Sequence, residues 1–167
     1  MTVWELLAEA VSALPERMPG LYSWWVDEQG ARLLSAGLGH AVDPGLLYAG
    51  LAGATRSRSG RKSANTLRGR IGSMHLGGNH NFSTFRLSLG SILAAARGQD
   101  RIDEGQLTAW MHEHLRLIAV PVDDADMLDA LETEVLAVLD PPLNLDKRPK
   151  TPLREQLTQL RRTYSGR

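Results

Sequence analysis

Two tyrosines stand beside glycines in short strand-forming runs, Tyr22 in Pro19–Val26 and Tyr48 in Leu46–Ala52. Paired antiparallel, these runs bring both phenols into one neighbourhood, and Gly20 and Gly50 leave room for another backbone or a phosphate to come close. Arg70 falls at the edge of a helical apolar stripe made by Leu67, Ile71 and Met74. From there its stem can lie on the sheet while its guanidinium reaches into a cleft. Glu132 falls inside the apolar face of a later helix, about 40° from Leu128 at 100° per residue. A buried carboxylate without a partner costs several kcal/mol, so Glu132 demands a metal ion, an arginine or a raised pKa, and spacing alone leaves all three open.

The elements that must hold these groups can be read in outline. Pro19-Gly20 and Asp27–Gly30 bound the first strand, and Asp43-Pro44-Gly45 is a strong turn signal before the second. Leu115–Pro121 is the best remaining strand and completes a three-stranded sheet. Thr2–Glu5 has the form of a capping box, which opens an amphipathic helix over residues 1–16. Further helices are expected from Asn65 with Arg70 on board, from Ser83 or Thr84 to Ala96, from Asp103 to His112, and from Asp124 to Leu139 with Leu128, Leu131, Val135, Leu136, Val138 and Leu139 on its apolar face. A basic C-terminal extension, 148–167, carries a last helix opened by Thr151-Pro152, with Leu153, Leu157, Leu160 and Tyr164 in one stripe and Arg154, Arg161 and Arg162 on its other faces. The 167 residues favour one domain.

Net charge is zero, with 19 Lys plus Arg against 19 Asp plus Glu, but the charges are segregated. Arg56, Arg58, Arg61, Lys62, Arg68 and Arg86 fall in a stretch without any Asp or Glu, and acidic residues gather between Asp100 and Asp140. A local basic face attracts phosphates within a Debye length of about 8–10 Å whatever the total charge, so these six are the candidate nucleic-acid contacts. Arg56–Ala64 has no periodicity and reads as an exposed insertion. With no cysteine, a metal must rest on oxygen or imidazole ligands. No apolar run reaches the ~18 residues of a membrane helix, and the expected compartment is the cytoplasm.

In this order and at this separation, Gly20-Leu21-Tyr22 and Tyr48-Ala49-Gly50 resemble the paired signature of the GIY-YIG nuclease family, with Leu21 and Ala49 in place of the central isoleucines. The family's helical arginine, later glutamate and Pro-then-Asn segment match Arg70, Glu132, Pro141 and Asn144. The separation to Pro141 and Asn144 selects Glu132 over Glu134, and the likeness covers residues 17–147. The resemblance implies an α/β fold, a small three-stranded antiparallel sheet flanked by helices, and a metal-dependent endonuclease that hydrolyses DNA. Glu132 would hold one Mg²⁺ or Mn²⁺, Arg70 would contact the phosphate, Tyr22 would act as base with Tyr48 orienting the water, and Asn144 would bond near the site. His75 or His80 would relay a proton, as in some members of the family. A tyrosine base with an ordinary pKa near 10 needs a cation beside it, for which Arg70, the metal or Lys62 is available. A non-cleaving nucleic-acid-binding module of the same fold and an enzyme acting on RNA are the alternatives. The oligomeric state, with a dimer among the options, is open.

Overall fold

The aromatic run expected as the first strand lies at the centre of the sheet. A computed structural model describes residues 18–54, 60, 66–77 and 79–166, without the side chains of Ser73 and Met74. Strand β1 (Gly20–Val26) is flanked by β2 (Gly45–Ala52) on one side and β3 (Leu115–Pro121) on the other, both antiparallel to it. Alternation along β1 buries Tyr22, Trp24 and Val26 and leaves Leu21, Ser23 and Trp25 on the other face. Tyr22 is paired with Gly50 and Trp24 with Tyr48, so Tyr22 and Tyr48 share the buried face. A register shift between Trp24 and Trp25 follows these pairs.

β1 and β2 are joined by a helix that the turn-rich connection did not suggest: α1, Glu28–Leu38. Asp27 caps it by accepting from Gly30 N–H at 2.7 Å, and Gly39 ends it in the left-handed conformation. Gly37 inside it lies so close to the backbone of Ile92 that a Cβ would come within 2.2 Å of that carbonyl.

Arg70 is carried by a π-helix, Gly69–Leu76, whose wide turn is marked by Gly77 N–H donating to Gly72 O at 2.9 Å. Asn65, the expected cap, lies outside the described residues. Thr66 does the capping, its hydroxyl accepting from Gly69 N–H at 3.1 Å. Helix α2 (Thr84–Ala96) is buried on nearly every side, as befits a helix between α1 and the last helix. Then come α3 (Glu104–His114), β3, α4 (Leu128–Leu139) and α5 (Pro152–Tyr164), the last capped by Thr151. One core joins Tyr22, Trp24 and Val26 to Leu34, Phe85, Leu89, Ile92, Leu107, Leu143 and Leu157.

Helix α4 starts four residues later than expected, and its apolar stripe is narrower. Leu128 and Leu136 are buried, whereas Val138 and Leu139 are 77% and 51% exposed. The expected N-terminal helix, the bulk of the insertion and the Met74 side chain lie outside the described residues.

Candidate active site

Tyr22 is almost fully buried, and its ring lies across Gly50, where a Cβ would sit 2.5 Å from the Tyr22 oxygen. That strand pair needs glycine at this position for a steric reason. Tyr22 Oη lies 2.8 Å from His75 Nε2, and His75 Nδ1 lies 2.6 Å from Ser83 Oγ. Ser83 also caps α2 by accepting from Arg86 N–H at 3.1 Å. Tyr48 stands 6.3 Å from Tyr22, centroid to centroid, and stacks on Phe85 at 4.8 Å. Phe85 also packs edge-on to His75, so one core phenylalanine orients both rings. Thr84 and Tyr22 lie close enough to Tyr48, and Arg70 close enough to Tyr22, to influence their hydroxyls.

These groups are tuned by burial. Desolvation pushes the Tyr22 hydroxyl well above the ordinary 10, with Tyr48 adding to the rise and Arg70 opposing it. Tyr48 is raised too, again chiefly by burial, with Thr84 and Arg70 opposing. Burial drives His75 down to about 3, helped by the Arg70 and Arg86 charges, so its imidazole is neutral at physiological pH. Among the residues lining the open cleft of about 320 Å³ beside the site are Tyr48, Arg70, His75, Phe82, Thr84 and Ser165. Tyr22 lies behind that wall, linked to it through Tyr48, Arg70 and His75.

Glu132 is on α4, its side chain 15% exposed, with Lys147 Nζ at 3.0 Å. Lys147 also reaches Asp129 at 2.8 Å. Burial nevertheless leaves the Glu132 carboxyl above its ordinary value. Glu132 does not line the cleft, although its charge raises the cost of both phenolates. Its partner among the described side chains is therefore Lys147, where an arginine was one expected option.

Asn144 is buried and takes the backbone of Ala49 between two hydrogen bonds. Ala49 N–H donates to its Oδ1 at 3.0 Å, and its Nδ2 donates to Ala49 O at 2.7 Å. Leu143 N–H adds a bond to Leu47 O at 3.0 Å. The Pro-then-Asn segment thus acts as an extra half-strand on β2, fixing the residues on either side of Ala49, which are Tyr48 and Gly50. It touches the site through the strand and not through the cleft. Arg154, buried on α5, holds this segment by donating to the carbonyls of Asn144, Pro141 and Pro149 and to Asp140.

The family is decided by the whole pattern. A family model described as the GIY-YIG catalytic domain matches residues 20–163. The chain belongs to the GIY-YIG catalytic-domain family. No curated protein and no solved structure matches it significantly. Membership makes this a nuclease-type domain, and the three-stranded sheet flanked by helices agrees with the GIY-YIG fold. No described helix is long and apolar enough to cross a membrane.

The basic candidates lie in different settings. Arg56, Arg58, Arg61 and Lys62 lie outside the described residues. Arg68 is half-buried at the start of the π-helix region. Arg86 is a correction: it is fully buried, so it cannot meet a phosphate. Its guanidinium donates to Glu104 Oε2, Glu104 O, Thr108 Oγ1 and His75 O, which makes it a structural strut under the site. His80 is likewise tied, both through its backbone N–H and its Nδ1, to Glu104. His75, not His80, is the histidine on the tyrosine.

Two arrangements around α5 were not foreseen from the sequence. Arg161, on the last turns of α5, is half-buried close enough to Tyr48 for the two charges to interact, and Ser165, one turn on, lines the cleft. A second, larger groove of about 440 Å³ runs between α5 and the segment before it, with Arg148, Lys150, Arg154 and Arg162 in its walls. Neither feature follows from the composition of α5 alone, because both depend on what α5 packs against.

Proposed function

We propose that this domain is an endonuclease that hydrolyses phosphodiester bonds of DNA with the help of a divalent cation. The observation that carries the reading is the hydrogen bond between Tyr22 and His75, with Tyr48 beside Tyr22 and Arg70 on the same cleft. A water held at the Tyr48 hydroxyl passes its proton into the tyrosine pair, and Tyr22 hands its own proton to His75 Nε2. The tautomer that serves carries its proton on Nδ1, directed at Ser83 Oγ. His75 is a poor base in the free protein chiefly because it is buried, and further because Arg70 and Arg86 oppose its protonation. An anionic phosphate beside Arg70 offsets that penalty and makes the imidazolium less costly when it is needed. Arg70 donates to the phosphate oxygens and neutralises charge that builds in the transition state. Arg161 adds a second cation from α5.

The residues around Glu132 fit a mostly hydrated Mg²⁺ or Mn²⁺. The described residues include no cluster of three or more His, Cys, Asp or Glu, but Glu132 is a desolvated carboxylate with Asp129 and Asp146 adding negative potential around it. Mg²⁺ commonly takes one or two carboxylates and keeps its waters. When bound, the ion supplies charge compensation at the phosphate and the leaving oxygen. Lys147 pairs with Glu132 and would have to release it for the carboxylate to hold the ion. DNA flanking the scissile bond runs over the basic groove of Arg148, Lys150 and Arg162, which supplies positive potential outside the cleft.

The Lys147–Glu132 pair is also the one observation that favours the alternative, a domain that binds nucleic acid without cutting it. One experiment separates them: labelled DNA and RNA, single-stranded, duplex and branched, incubated with Mg²⁺, Mn²⁺ or EDTA and wild type or Glu132→Ala. Cation-dependent cutting of DNA that disappears in the variant supports the nuclease. Binding without cutting in every arm selects the alternative, and cutting confined to RNA reassigns the substrate.

A further inference from the structure

Phe82 is 68% exposed at the rim of the catalytic cleft. The other large exposed apolar side chains among the described residues lie elsewhere, on β3, on α4 and at Met127 beside its start. The backbone beneath Phe82 is held firmly. His80 N–H donates to Glu104 Oε1 at 2.9 Å, and the other carboxylate oxygen of Glu104 accepts from Arg86 Nε at 2.9 Å. Although burial pushes the Glu104 carboxyl up, bonds from His80 and Arg86 hold it below its ordinary value. Asn81 N–H donates to Asn79 Oδ1 at 2.9 Å, and Phe82 N–H donates to Asn79 O at 3.2 Å. The next residue, Ser83, is buried and bonded to His75. A fixed loop thus holds an aromatic ring in water, without the packing that explains Phe85 three residues on.

We infer that Phe82 is a stacking platform for one unpaired or unstacked nucleobase next to the scissile phosphate. The inference rests on the nuclease reading above and narrows its substrate. A ring exposed on a cleft floored by Arg70 suits a ligand with a flat π face joined to an anion, which is the chemistry of a nucleotide. The cleft volume of about 320 Å³ is at the small end of the roughly 300–1,000 Å³ of ligand sites, enough for one nucleotide and not for a length of duplex. Inside continuous duplex both faces of each base are covered by neighbours. Phe82 therefore requires a base with an open face, as at a flap, a branch, a gap or in a single strand. Stacking of this kind tolerates any base, because every base has a π face.

The test measures binding of full-length protein in EDTA, where no cutting intervenes, to a single strand, a continuous duplex and a flapped duplex, using wild type, Phe82→Ala and Phe82→Trp. Phe82→Ala is expected to weaken the single-stranded and flapped probes about tenfold and leave the duplex unchanged, while Phe82→Trp keeps wild-type affinity. An abasic scan along the flapped strand should find one position that costs wild type affinity and costs Phe82→Ala nothing. Equal affinity of Phe82→Ala for every probe, or an equal loss on all three, overturns the platform while wild-type binding and cutting stand. No binding by wild type overturns both the platform and the nuclease reading. Phe82→Ala should melt as wild type does, since the ring is exposed.

Discussion

His75 Nε2 lies 2.8 Å from Tyr22 Oη, and it does so as a neutral imidazole with two arginine charges pressing against its protonation. That relationship has a pH signature in stability. The folded protein holds His75 at about 3 against an ordinary 6.5, so between these values the unfolded chain binds the proton and the folded one does not. Stability should therefore be fully present above about 6.5 and fall as pH drops toward 3. His75→Gln should flatten this part of the curve, as measured by denaturant titrations from pH 7 to 4, and should reduce cleavage at every pH.

Lys147 stands 3.0 Å from Glu132 and lowers the pKa that burial raises. Lys147→Met removes that opposition, so the acid limb of the pH–rate profile should move to higher pH. In the same variant less competition for the carboxylate should lower the Mg²⁺ or Mn²⁺ concentration that gives half-maximal cutting. Both shifts are read from cleavage rates titrated with pH and with metal.

Asn144 holds Ala49 by a donor and an acceptor, and no other side chain of its size reproduces both. Asn144→Asp turns the group facing the Ala49 carbonyl from donor to acceptor and should cost about 1–3 kcal/mol of stability. Cleavage should fall further than stability explains, because Tyr48 and Gly50 flank the held residue. Comparing melting temperature with kcat for Asn144→Asp and Asn144→Leu checks this.

Arg161 should act on turnover. Replacing a charged hydrogen-bond donor near a phosphate costs about 1.5–3 kcal/mol, so Arg161→Gln should lower kcat/KM roughly ten- to hundredfold with little change in melting temperature. Steady-state kinetics on the preferred substrate measure it.

The groove of Arg148, Lys150 and Arg162 should act on binding. Each lost phosphate contact reduces the slope of log K against log salt by about 0.9 for duplex DNA. The double variant Lys150→Gln, Arg162→Gln should flatten the slope by about 2, measured from binding isotherms across a salt series in EDTA. An unchanged slope removes the groove from the DNA path.

The strands were legible because aromatic runs between turn signals leave little choice, and Tyr22 and Tyr48 could be placed together once antiparallel pairing was assumed. Helix α1 was not, because Asp27–Gly30 and Asp43-Pro44-Gly45 at its two ends read as turns, whereas Gly37 inside it lets α1 touch α2. Arg86 read as a nucleic-acid contact because no acid lies near it in the chain. Its partner Glu104 lies 18 residues on, and only the packing of α2 against α3 joins them. His75 and His80 looked equivalent in sequence for the same reason: one is folded under the sheet and the other is pinned to Glu104 in the loop above it. Val138 and Leu139 continued a helical stripe whose far end the fold leaves exposed.

Asn144 lies 95 residues beyond Ala49, the strand residue it holds, and Arg161 and Ser165 come later still. A chain emerging from the ribosome presents both tyrosines and Arg70 long before these parts exist. On the nuclease reading proposed above, the growing polypeptide would stay silent until synthesis has passed the segment that locks β2.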